Sequence, residues 1–156
     1  MIMKQSDWNN YLSPPSKEST TGGKFEQLVF EDLEQNGYSV VPKKQRNKDI
    51  PKQRGGRKHN VDIRLADGTL ISCKSQNKST GTAEEKIPFE CIKLQNAIDD
   101  SNGRIPWAYI ILHGDKWSCK EWFLSEDFKN QIRVPNVTIL RYEDMDIHFP
   151  PKEILQ

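Results

Sequence analysis

Between His59 and Gln76 two stretches alternate between apolar and polar residues around the tripeptide Ala66-Asp67-Gly68, and no other segment restricts the fold of this chain so much. Val61, Ile63 and Leu65 alternate with Asn60, Asp62 and Arg64, and Leu70, Ser72, Lys74 and Gln76 alternate with Ile71, Cys73 and Ser75. A period of two is the signature of paired strands, and Asp-Gly supplies the turn. Two registers compete. A two-residue turn pairs Ala66 with Thr69 and sets Asp62 opposite Cys73. A three-residue loop with Gly68 left-handed pairs Leu65 with Thr69 and sets Asp62 opposite Ser72. The second register is favoured. It gathers Asp62, Ser72, Lys74 and Gln76 on one face and leaves Val61, Ile63, Leu65, Ile71 and Cys73 to pack together on the other.

Other elements follow from local pattern. Phe25, Leu28, Val29, Phe30 and Leu33 recur at helical spacing, so a helix is expected over 23–36, stopped at Asn36-Gly37. Residues 38–41 read as a short strand. A helix is expected over 83–100, its apolar face drawn from Phe89, Ile92, Leu94 and Ile98. The unbroken apolar run 107–112 reads as a strand buried on both faces. Residues 121–132 read as a helix and 137–141 as a last strand. The order predicts an α/β domain, a mixed β-sheet flanked by helices, over residues 23–156. Residues 1–22, with Pro14-Pro15 and only Trp8, Tyr11 and Leu12 as anchors, read as an arm. A length of 156 residues suits one domain and excludes two ordinary ones.

No apolar run approaches the ~20 residues that span a bilayer, and Met1 to Leu12 lack a signal-peptide core, so a cytoplasmic location is expected. Three cysteines, Cys73, Cys91 and Cys119, without CxxC spacing argue against a disulfide framework or a zinc ribbon and are read as reduced thiols. A net charge of +1 hides a strong asymmetry: residues 43–58 hold eight basic side chains against the single acid Asp49. Lys43, Lys44, Arg46, Lys52, Arg54, Arg57 and Lys58 are the candidates to neutralise phosphates. Alone, such a run is as often a solvated loop.

An aspartate on one strand with a lysine diagonal to it on the next can serve phosphodiester hydrolysis. The carboxylate can hold a divalent cation, and the lysine can orient water or neutralise developing charge. As a cross-strand ion pair the same two residues would be worth only ~0.2–1 kcal/mol and would mean little. The order of elements decides between these. A helix beginning Gly23-Lys24-Phe25-Glu26, then Asn60-Val61-Asp62, then the strand Ile71-Ser72-Cys73-Lys74-Ser75-Gln76, then a helix and a buried strand, resembles the PD-(D/E)XK nuclease superfamily over residues 22–113.

That resemblance implies a restriction-endonuclease-like fold and Mg2+-dependent hydrolysis of double-stranded DNA, with Mn2+ as a substitute. It implies that Asp62 binds the metal and that Lys74 is the motif lysine. Ser72 stands where the motif has its second acid, and serine is a poor ligand for a hard cation. Glu26, on the inward face of the first helix, is the first replacement considered, and Glu85 and Glu84, at the start of the helix after the lysine strand, are the second. The Cys73 carbonyl is a further candidate ligand, whereas its thiol reads as a small buried hydrophobe. Gln76 is a candidate to touch phosphate or water. His59 is set aside because an offset of three turns it away from Asp62, although it could meet phosphate beside Arg57 and Lys58. The expected protein is a restriction-type endonuclease or its catalytic subunit. Cutting both strands calls for a homodimer, or a heterodimer with a larger specificity or nuclease subunit. The alternatives are a homing endonuclease or junction resolvase with the same chemistry, and an inactive nuclease-fold subunit for DNA binding or assembly.

Overall fold

The structure, a computed structural model, describes residues 21–76, 81–114 and 116–153. Nearly all of the expected N-terminal arm, residues 1–20, lies outside the described residues, as do residues 77–80 of the loop after the lysine strand.

The chain is α/β, with a four-stranded mixed sheet flanked by helices. Helix α1 (Thr21–Gln35) is followed by β1 (Ile63–Arg64), β2 (Leu70–Ser75), α2 (Gly81–Asp99) and β3 (Ala108–His113). Short helices α3 (Lys120–Phe123) and α4 (Glu126–Ile132), strand β4 (Val137–Arg141), a 3-10 turn (Tyr142–Asp144) and α5 (Met145–His148) complete it. The sheet order is β1-β2-β3-β4, with β1 antiparallel to β2 and the other pairs parallel. Among the described residues no helix is long and apolar enough to cross a membrane.

The hairpin adopts the three-residue register. Ile63 pairs with Ile71 and Arg64 with Leu70, and the Leu65 amide donates to the Thr69 carbonyl at 2.9 Å. Gly68 has φ +99°, and its amide donates to the Leu65 carbonyl. Two core layers enclose the sheet. Leu70, Ala108, Ile110, Leu112, Val137 and Ile139 pack under α2, α3 and α4, while Ile71, Ile111 and Leu140 pack under α1 and the C-terminal residues Tyr142, Met145 and Phe149. Leu70 and Ile71 are both fully buried. At about 1.5–3 kcal/mol for each buried aliphatic side chain, a one-residue slip of β2 would be heavily penalised.

The hairpin departs from strict alternation at one point. Ile63 and Leu65 share a face with Ile71 as expected, the face under α1, but Val61 lies in the α2 layer and His59 is buried on that side too. The chain therefore crosses the sheet edge at Asp62. Residues 38–41 do not form a strand; they contribute the single bridge Val40–Leu65, flanked by bonds from Val41 to Arg64 and from Ala66 to Ser39. The helix expected over 121–132 is two helices, because Ser125 accepts from the Phe128 amide and caps α4. The inward stripe of α2 is Ile87, Cys91, Leu94 and Ile98, and two residues expected inside are exposed, Phe89 at 61% and Ile92 at 40%.

A Cβ built on Gly68 would lie 2.0 Å from the Arg104 carbonyl oxygen, whereas one on Gly55, also at positive φ, meets nothing within 4 Å. Gly55→Ala should therefore cost about 1–2 kcal/mol of backbone strain. Gly68→Ala should cost more than about 3 kcal/mol, because the collision is with backbone on a rigid loop. Urea denaturation of the two variants checks the ranking, and equal losses would show that the hairpin turn is not pinned by Arg104.

Candidate active site

The site is built where β1 stops. Continuing the ladder past the Ile63–Ile71 pair would bring the Cys73 amide to the Val61 carbonyl. Instead the Asp62 side chain takes that amide, Oδ2 accepting from Cys73 N at 2.8 Å. A carboxylate thus replaces a backbone acceptor, and Val61 is free to turn under α2, its own amide donating to Asn47 Oδ1 at 2.9 Å. By the same alternation the Cys73 carbonyl points to the edge that β1 has vacated.

Two further carboxylates flank this edge, one on each side of the sheet. On the α1 side, Glu26 Oε1 accepts from Arg46 Nη1 at 2.9 Å, and the same nitrogen donates to the Asp62 carbonyl at 2.9 Å. Burial and then the neighbouring negative charge of Asp62 raise the Glu26 pKa above its ordinary value, and the opposing pull of Arg46 and Lys43 does not cancel them. On the α2 side, Ser72 Oγ donates to Glu90 Oε1 at 3.1 Å, and Glu90 Oε2 holds Lys93 Nζ at 3.1 Å. Burial works against the Glu90 charge, but Lys74, Lys93 and the Ser72 hydroxyl outweigh it and keep the carboxyl below its usual range. Lys74 shares the α2 face with Ser72, one alternation along β2.

Glu90 is the residue that the sequence reading missed. The strand position expected to carry an acid holds a serine, and that serine binds a carboxylate from the next helix. The signal was present: Ile87, Cys91, Leu94 and Ile98 form the inward stripe of α2, which sets Glu90 at its border. Neither Glu84 nor Glu85 has a hydrogen bond to Ser72 among the described residues. Glu85 is exposed. Glu84 accepts from the Cys119 amide at 2.8 Å and from the Ser118 hydroxyl, which holds its carboxyl below the usual range and fastens α2 to the loop before α3.

The remaining candidates divide. Gln76 is buried, and its Nε2 donates to the Lys116 carbonyl at 2.7 Å beyond the end of β2, while its Oε1 is buried without a hydrogen-bond partner among the described residues. Burial, then the charges of Asp62 and Glu26, push the Cys73 thiol well up, so it stays protonated. Within the basic loop, Arg46 is committed to Glu26, Arg54 is paired with Asp100, and Lys43 donates to Gln27. Lys44, Lys52, Arg57 and Lys58 are exposed and have no acidic partner among the described residues. The loop is folded rather than loose, with turns closed by Gln45 to Pro42, Lys48 to Gln45 and Gly56 to Gln53.

The donor chemistry fits a hard cation. Asp62 keeps one carboxylate oxygen without a hydrogen bond among the described residues, the Cys73 carbonyl faces the same edge, and Asp62 is near enough to Glu26 for their charges to repel. Among the described residues no three carboxylate, imidazole or thiol groups already converge on one point. A Mg2+ held here would rely on backbone oxygen, water and substrate phosphate for the rest of its shell, as Mg2+ commonly does. No protein-family model, no curated protein and no solved structure matches the chain.

Glu26 yields a stability prediction with a definite sign. Its folded pKa is raised, so the folded chain binds the proton more tightly than the unfolded one. Its contribution to stability is present below the ordinary value of 4.5 and is lost as pH rises through the raised folded value. Glu26→Gln should therefore be more stable than the parent at neutral pH, and the difference should vanish below pH 4.5. Urea midpoints at the two pH values test this. A less stable variant at neutral pH would show that the Arg46 ion pair outweighs burial and Asp62.

Proposed function

We propose that this chain is a Mg2+-dependent endodeoxyribonuclease of the PD-(D/E)XK type, acting on double-stranded DNA as a restriction-type enzyme or its catalytic subunit. The observation that carries this reading is the Ser72–Glu90 hydrogen bond at 3.1 Å. It supplies an acid from α2 where the strand motif Ser72-Cys73-Lys74 lacks one, and it does so beside Lys74. The mixed sheet, with Asp62 at the end of one strand and Lys74 on the next, is compatible with a restriction-endonuclease-like fold.

Asp62 and Glu90 are the acids, and Cys73 the backbone carbonyl, that would hold the ion. When bound, Mg2+ lowers the pKa of water and stabilises charge on phosphate. Glu90 has a second role that needs no metal: its carboxylate draws the Lys74 ammonium towards the cleft, where Lys74 can orient the attacking water or meet developing negative charge. Glu26, partly buried and easily protonated, is suited to holding or releasing a proton near Asp62. The exposed cations Lys44, Arg57 and Lys58 would contact the backbone, which confers affinity without sequence preference. Sequence choice, and cutting of the second strand, would then fall to a second copy or to a larger partner subunit.

A second reading has one observation in its favour. Arg46 already supplies a cation to Glu26 and to the Asp62 carbonyl, which is the arrangement expected of a nuclease-fold DNA-binding subunit that no longer cuts.

Plasmid cleavage with Mg2+ or Mn2+ separates the two. Asp62→Ala, Lys74→Ala and Glu90→Gln should each lose about a hundredfold or more in rate while DNA binding persists. Glu85→Gln should cut like the parent, which distinguishes the two candidate acids of α2. Cutting that survives Asp62→Ala would sink the nuclease assignment of this site, and binding without cutting in the parent would favour the second reading.

A further inference from the structure

The ion pair between Arg46 and Glu26 is made by a single nitrogen. Arg46 Nη1 donates to Glu26 Oε1 and to the Asp62 carbonyl, both at 2.9 Å. Two acceptors use both hydrogens of that nitrogen. The Nε and Nη2 groups, whose N–H bonds run parallel along another edge of the guanidinium, have no hydrogen-bond partner among the described residues.

An arginine beside a carboxylate frequently closes on it with two parallel bonds. Arg54 does so in the same loop, its Nε and Nη2 donating to Asp100 Oδ2 and Oδ1 at 3.2 and 3.0 Å. Arg46 is fastened the other way, by Nη1, and keeps its two-donor edge open. Its side chain is 25% exposed, so it is not sealed within either core layer.

The loop holds this arrangement in place. The Gln45 amide donates to the Pro42 carbonyl at 2.8 Å, and the Lys48 amide to the Gln45 carbonyl at 3.1 Å. Asn47 Oδ1 accepts from the Val61 amide at 2.9 Å, and its Nδ2 donates to Asn60 Oδ1 at 3.2 Å. One neighbour of Arg46 is thus tied into a turn, and the other to the segment that leads into Asp62. Much of the entropy loss of ordering a long side chain therefore precedes any ligand. Lys74 stands on the α2 face of β2 and Arg46 is bonded to Glu26 of α1, so two cations flank the Asp62 edge from opposite faces of the sheet.

We infer that Arg46 is a further catalytic residue, whose Nε–Nη2 edge grips the two non-bridging oxygens of the phosphodiester brought to Asp62. Those oxygens share one negative charge, carry no proton at neutral pH and suit two parallel N–H donors. Their charge is greatest after the attacking oxygen has begun to add and before the leaving oxygen has departed, so the grip is tightest there. A lysine in this place could still pair with Glu26, but it would present no such edge. The word catalytic rests on the nuclease reading above; the grip on a backbone phosphate needs only that the chain binds DNA.

The test has two arms. In the first, the Arg46 Nε–H of the parent protein is followed by NMR in EDTA, so that cleavage plays no part. Titration with a short DNA duplex should move this signal saturably and bring a nitrogen–phosphorus coupling across the new hydrogen bond. A signal that stays in place, or that moves without the coupling, overturns the grip. In the second arm, plasmid cleavage with Mg2+ is compared between the parent and Arg46→Lys, with the urea midpoint of the variant as the check that it is folded. Arg46→Lys should lose about tenfold or more in kcat while KM stays within about twofold. A parent that cuts and an Arg46→Lys that cuts with the same kcat would overturn the catalytic role and leave the nuclease reading standing. A parent that cuts nothing would overturn the nuclease reading and with it the catalytic role, and the first arm would then decide the grip by itself.

Discussion

A strand that stops inside a sheet leaves its neighbour with an unpaired amide, and the Asp62 carboxylate meets that demand for Cys73. The rest of the site depends on this substitution of side chain for backbone. Because the Cys73 amide is satisfied, the preceding chain is released from the ladder and can rotate. Val61 and His59 pass under α2, while Ile63 and Leu65 stay under α1. Asp62 sits at the crossing, where elements from both faces of the sheet can reach it. Glu26 arrives from one layer and the Ser72–Glu90 pair from the other, so an acidic edge forms without any charge entering either apolar core.

The basic residues are distributed by the same economy. A net charge of +1 is divided among local pairs: Arg46 with Glu26, Arg54 with Asp100, Lys93 with Glu90. The Arg54–Asp100 pair is largely solvent-exposed and contributes little to stability, although it helps fix the loop's position. Arg46 is different because it bridges two parts of the site itself. It joins the loop to α1 and to the Asp62 backbone, and any movement of the loop is transmitted to the Glu26 carboxylate. The loop is therefore a structural wall of the cleft as well as a source of positive charge.

The sequence carried the hairpin clearly, because only the three-residue loop brings both apolar sets to a core and Gly68 is able to adopt the required conformation. The strands over Leu70–Ser75, Ala108–His113 and Val137–Arg141 were legible for a related reason: their apolar content and flanking turns leave little choice. What failed was phase. Strict alternation carried back through Asp62 put Val61 on the wrong face, since a period of two cannot register a chain crossing the sheet edge. On α2 the apolar residues Phe89 and Ile92 are exposed, and their spacing obscures the Ile87, Cys91, Leu94, Ile98 stripe and with it Glu90. The break at Ser125 was readable, because a serine followed by two acids is a helix start, but Phe128 and Ile132 continue the helical spacing of Phe123 and Leu124 and masked it.

The anchoring of α1 has a consequence for the order of events as the chain is made. The Asn36 side chain donates to the Phe149 carbonyl, the Lys152 amide donates to the Asn36 carbonyl, and Tyr38 Oη donates to the Pro150 carbonyl, contacts spanning more than a hundred residues. Tyr142 also reaches back to the buried Asp32 on α1. During synthesis, α1 can settle first on the hairpin side chains Ile63, Leu65 and Ile71, but its far end is not secured until residues 149–152 follow. Glu26, Arg46 and Asp62 are joined by bonds made within residues 26–62, whereas the opposite end of α1 waits for the C-terminal segment. A nascent chain would hold every partner of its acidic edge before β3 and β4 emerge, yet could not tie down the helix that carries Glu26 until its last residues appear.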